Sequence, residues 1–83
     1  MSTEEVQREF DSLKSILDKA MDYENAHNVD SNFHGIVDIL RNAKDEMKRM
    51  INEASYRSSF NFDSWFQMNV FYALDELRDY ISF

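Results

Sequence analysis

One glycine and no proline in 83 residues leave this chain almost without the residues that make tight turns. Glycine supplies left-handed backbone positions and proline pre-sets a bend, so hairpins and long loops draw on both. A chain lacking them is short of sheet-forming connections. What remains is long helices joined by brief Asn, Asp and Ser links. The fold expected is all-α.

Eighty-three residues make one domain, spanning 1–83. A chain this short buries only ~60% of the surface its unfolded form exposes, so its core needs large side chains. It has them: 43% of residues are hydrophobic, including seven Phe, four Tyr, five Met and one Trp. That is enough apolar surface to offset chain entropy. The absence of cysteine excludes a disulfide framework and a thiolate metal site. The opening residues MSTEEVQREF lack the basic and apolar regions of a secretory signal. No apolar run approaches the ~20 residues of a membrane span. A soluble, cytoplasmic protein with no membrane partner is expected.

Apolar spacing predicts three helices, over about 3–27, 31–56 and 62–82. The first opens on a capping box, Ser2-Thr3-Glu4-Glu5, in which Glu5 reaches back toward the cap amide. Val6, Phe10, Leu13, Leu17 and Ala20 then recur at steps of four and three. Asn28-Val29-Asp30-Ser31-Asn32 breaks the pattern, with Asp30 or Ser31 the natural cap of the second helix. That helix carries Phe33, Ile36, Leu40, Ala43, Met47, Met50 and Ala54 on an uncharged stripe. The third follows Asn61 or Asp63 as cap, with Phe66, Val70, Ala73, Leu77 and Tyr80 facing inward. Two short connections make neighbours antiparallel. The architecture expected is an antiparallel up-down-up three-helix bundle of long helices, with homodimerisation left open.

The third helix holds more apolar surface than a bundle position needs. From Phe60 to Phe83, 14 of 24 residues are apolar or aromatic, where one face of a third to a half suffices. Trp65, Met68 and Tyr72 form a second ridge pointing away from the inward stripe. It either completes the core from both sides or, with Phe62 and Phe83, forms an exposed patch for a partner. Trp and Tyr anchor interfaces, and Met adapts to irregular ones.

The net charge of −7 is spread unevenly. On the first helix Glu4, Asp11, Asp18 and Asp22 share one strip, with carboxylates ~6–10 Å apart along the axis. That spacing is comparable to phosphates along a nucleic acid strand. Asp75, Glu76 and Asp79 sit near the C-terminal end of the third helix, where the helix dipole disfavours anions. Either strip serves as a solvated face or meets a basic partner. Direct nucleic-acid binding is disfavoured, because the one basic strip (Arg41, Lys44, Lys48) is broken by Asp45 and Glu46 and lacks aromatics.

Catalytic motifs are missing. Glu24-Asn25-Ala26-His27 matches one half of a di-iron Glu-x-x-His pattern, but no second such pair occurs. The set His27, Asp30, His34 and Asp38 reads as helix-end capping before it reads as a metal site. One glycine cannot build a phosphate loop, and no serine sits in a nucleophile elbow. No catalytic residue, metal or cofactor is expected. The function expected is a non-enzymatic acidic protein that binds and modulates or inhibits another protein or protein complex. One concrete form is a mobile-element inhibitor of a nucleic-acid-handling enzyme or complex, its acidic surface mimicking nucleic acid. The alternative is a structural self-associating module, a homodimer through its C-terminal aromatic helix.

Overall fold

The computed structural model describes residues 3–59 and 61–83. Among them the secondary structure is helical, with no strand. The chain is all-α, as the turn-poor composition requires. Helix α1 (Thr3–Ala26) and helix α2 (Ser31–Asn52) are long; α3 (Ala54–Ser58), α4 (Phe62–Phe66) and α5 (Tyr72–Leu77) are short. A π-helical turn, Gln67–Phe71, joins α4 to α5 with helical backbone angles on both sides. The capping box expected at Ser2 lies outside the described residues, as does Phe60.

The molecule is a rod of 41 × 19 × 17 Å. A 24-residue helix is ~36 Å long, so α2 has to fold back along α1. Side chains fix that return. Tyr23 near the end of α1 lies 5.4 Å from the Phe33 ring at the start of α2, and Glu24 meets His34 at 3.1 Å. Asp30 caps α2 by accepting the Phe33 amide at 2.9 Å, a contact of the kind that contributes about 1 kcal/mol. The same carboxylate accepts the Tyr80 hydroxyl at 3.2 Å, and Asn32 donates to that hydroxyl at 3.0 Å. The end of the chain is thereby pinned beside the start of α2, and α5 runs antiparallel to it.

Helix α2 is the spine. Its buried face of Phe33, Ile36, Val37, Leu40, Ala43, Met47 and Met50 meets Val6, Leu13, Leu17 and Ala20 of α1. It also meets Val70, Ala73, Leu74 and Leu77 of the C-terminal segment. Among the described helices, α2 alone comes within 8 Å (Cα to Cα) of α1, so large side chains bridge α1 to the C-terminal segment.

Two expectations need correcting. The second helix was expected to continue to residue 56; it ends at Asn52, because Glu53 is extended (φ −125°, ψ 105°). Ala54, expected on the buried stripe, is exposed. Side chains beyond the break hold it. Arg57 Nη1 donates to the Met50 carbonyl at 3.0 Å, covering an oxygen the helix end leaves open. The Tyr56 hydroxyl donates to Glu46 at 2.9 Å, and the Arg49 guanidinium lies 3.8 Å from the Tyr56 ring centre. The second correction concerns the third helix, which is interrupted by the π turn.

That turn has a cause in the sequence. Phe62, Phe66, Val70 and Leu74 recur at every fourth residue. Each step of four overshoots a full α turn by about 40°, so three steps would swing Leu74 about 120° from Phe62. One surplus residue in a wider turn removes about 100° of that drift. Phe62, Val70 and Leu74 are accordingly all buried.

Candidate interaction surface

Within the π turn only Val70 is buried, and the other residues are displaced outward. Met68 is 77% exposed and Tyr72, one turn further on, 57%. Trp65, one turn earlier, is half-buried and packs against the core. Its carbonyl accepts the Asn69 side-chain amide at 2.9 Å, which holds Asn69 on the same flank. Trp65 and Asn69 share a cleft of about 250 Å³ with Ile39, Asn42, Ala43 and Glu46 of α2. Ile39 is itself 44% exposed. The ridge of Trp65, Met68 and Tyr72 thus stands beside an apolar residue from the neighbouring helix.

The five-residue patch expected from the sequence does not stay together. Phe62 is only 5% exposed, its ring stacked on Trp65 at 5.9 Å and tilted against Phe66 at 5.7 Å. It belongs to the core, because the π turn rotates it inward. Phe83 lies on the opposite flank, under the Arg78 guanidinium at 4.8 Å. There it lines a second cleft, of about 550 Å³, between α1 and the C-terminal segment, with Ile16, Phe66, Phe71 and Leu74. Three exposed large hydrophobics lie outside the expected patch: Met21 on α1, Ile39 on α2 and Phe71 in the π turn. Phe71 is 46% exposed and lines the cleft beside Phe83. Ile39 falls between Ile36 and Leu40 but off their stripe, and that offset was the available signal.

Glu4, Asp11, Asp18 and Asp22 are exposed, on the face of α1 opposite its buried residues. Asp75 and Asp79 are exposed, and Glu76 is half-buried. Asp75 approaches Arg78 at 4.0 Å, and Glu76 accepts the Tyr72 hydroxyl at 2.9 Å. Because α5 runs parallel to α1, Asp75, Glu76 and Asp79 share an end of the rod with Asp18 and Asp22. That half also holds Glu24, Asp30 and Asp38, against Lys19, Arg41 and Arg78 alone. The negative charge is polarised along the axis.

The hydrogen bond to Glu76, and that carboxylate's charge, raise the Tyr72 pKa above its ordinary 10.0. Burial and the hydrogen bond to Glu46 raise that of Tyr56. A raised value means that folding favours the neutral phenol. The stabilisation is complete below the unfolded-chain pKa and disappears as pH rises through the folded values. In a phenolate titration, Tyr56 and Tyr72 are therefore expected to ionise at higher pH in the folded than in the unfolded protein. Joint Tyr56→Phe and Tyr72→Phe replacement removes that late component, and an unchanged titration curve would refute the assignment.

Among the described residues no group of three or more His, Asp or Glu side chains converges to hold a metal ion. The candidate set at the first connection is used otherwise. His27 stacks on Tyr23 at 4.1 Å, His34 meets Glu24, Asp30 is the cap, and Asp38 lies near Arg41 at 3.6 Å. No described helix is long and apolar enough to cross a membrane. The chain matches no known family model, no curated protein and no solved structure.

Proposed function

We propose that this is a non-enzymatic interaction protein, acting in the cytoplasm, that binds and modulates another protein or protein complex through the Trp65–Met68–Tyr72 ridge. The observation that carries the reading is the placement of Met68 and Tyr72, large side chains largely in solvent on helical backbone. The core is closed by other residues, Phe33, Leu40, Met47 and Leu77 among them, and an apolar ridge left outside it is the kind of surface that partners cover. The reading takes α1, α2 and the α4–α5 rod as an up-down-up three-helix scaffold. Inhibition of a nucleic-acid-handling enzyme is one concrete form, in which Glu4, Asp11, Asp18 and Asp22 add long-range attraction to a basic site. Self-association through the same ridge is the second reading, supported by the same exposure.

Site-specific photocrosslinking in the native cell tests it. A photoreactive residue at position 68 is expected to give a discrete adduct that the same group at Asn25, on the outer face of α1, does not. Equal adducts from both positions, or none from either, would sink the reading. An adduct at twice the protomer mass would transfer it to self-association.

A further inference from the structure

The rim of the ridge narrows the choice of occupant. The charged side chain in the Ile39–Trp65 cleft is Glu46, and the charged partner of Tyr72 is Glu76. Both are carboxylates, on a protein of net charge −7, and the neighbouring cations Arg49 and Arg78 are paired with Glu53 at 3.0 Å and Asp75 at 4.0 Å. Two copies meeting ridge to ridge would bring these rims together and repel, and a nucleic acid strand would be repelled in the same way. A cationic partner gains where those two lose.

Resting on the ridge as the docking surface, we propose that its occupant is a basic amphipathic helix of another protein. An apolar side chain of that helix seats between Ile39 and Trp65, and its neighbours lie along Met68 and Tyr72. This is the helix-in-groove mode, with anchors spaced one turn apart. Lysine or arginine residues flanking the apolar stretch reach Glu46 at one end and Glu76 at the other. Glu46 shares its cleft with Trp65, and Trp65 and Glu76 lie about 16 Å apart along the helix axis, so the partner's cations stand roughly three turns apart.

Trp65 is the only tryptophan, which makes it the reporter. The full chain is titrated with three tryptophan-free synthetic helices of identical leucine stripe, faced with lysine, glutamine or glutamate. The lysine helix is expected to shift Trp65 emission saturably, with affinity falling as salt is raised and at least tenfold above that of the glutamate helix. Met68→Glu decides whether the attraction is local. It adds a carboxylate, so general charge attraction would strengthen binding, whereas loss of the apolar seat weakens it at least tenfold. Circular dichroism confirms that the variant folds. Binding of the lysine helix as tight to Met68→Glu as to the parent overturns the proposal. Equal binding of lysine and glutamate helices, abolished by Met68→Glu, also overturns it but leaves the ridge a docking surface. No binding of any helix, with the parent monomeric in sedimentation, overturns the proposal and counts against the ridge itself. A dimer dissociated by Met68→Glu overturns it in favour of a second copy.

Discussion

Replacing Phe33 with alanine is expected to cost about 3–5 kcal/mol, the range for a buried phenylalanine. A chain of this length has roughly 4–12 kcal/mol of folding free energy in all, at about 0.05–0.15 kcal/mol per residue. Phe33 is fully buried at the joint where α1, α2 and the end of the chain meet. Its ring lies against Tyr23 at 5.4 Å and edge-on to Tyr80 at 5.2 Å. Neither neighbour is free to fill the hole. Tyr80 is tied by its hydroxyl to Asp30 and Asn32, and Tyr23 stacks on His27. The cavity therefore stays open, and the cost falls at the high end. Urea denaturation followed by circular dichroism measures it. A loss under about 1 kcal/mol would mean that the aromatic joint is looser than described. Phe33→Leu is expected to recover most of the difference, since it keeps apolar volume at the site.

Deleting Met68 is expected to leave the fold intact, which is the opposite of what deletion inside a helix ordinarily does. Removing one residue from an α-helix turns everything beyond it by about 100° and carries its buried face into solvent. The π turn holds one residue too many, so its loss returns the segment to plain α geometry. Phe62, Phe66, Val70 and Leu74 would then stand at steps of four, three and four. The same core contacts are kept on both sides, and the melting temperature is expected to change by only a few degrees. Deleting Ala43 from the buried face of α2 is the contrast, because no surplus turn exists there to absorb it; that variant is expected not to fold. Thermal melts of the two proteins decide the matter. If both deletions unfold the chain, the surplus-residue account of the turn is wrong. If the Met68 deletion folds, it also removes the most exposed apolar side chain of the ridge, and partner binding should fall with it.

The two long helices were legible because each is governed by its own periodicity. Leu13, Leu17 and Ala20 in α1, and Ile36, Leu40, Ala43 and Met47 in α2, are buried where their spacing puts them. The Asp30 cap was legible for the same reason, being a local matter of one side chain and one amide. The break at Glu53 was not. Nothing in Asn52-Glu53-Ala54 forbids a helix, and what ends it there is the return of Tyr56 and Arg57 onto α2. The π turn was written in the four-residue spacing of Phe62 to Leu74, but reading every apolar position at 3.6 residues per turn hid it. That assumption also misplaced Phe62, which the surplus residue brings round to the buried side. Met68 and Tyr72 were found because they oppose the inward stripe on either count. Ile39 was missed because each helix was read alone, whereas the cleft it lines belongs to two.

Asp30 serves two masters, capping α2 and anchoring Tyr80. Chain ends in small helical proteins usually fray independently, opening and closing without reference to the interior. Here a carboxylate near the middle of the sequence ties the last turn to the first turn of the spine. Loosening either one deprives the other of the same oxygen atoms. The amides around Phe33 and those around Tyr80 should accordingly open to solvent hydrogen as one unit, and the rod has one extremity that unzips only together.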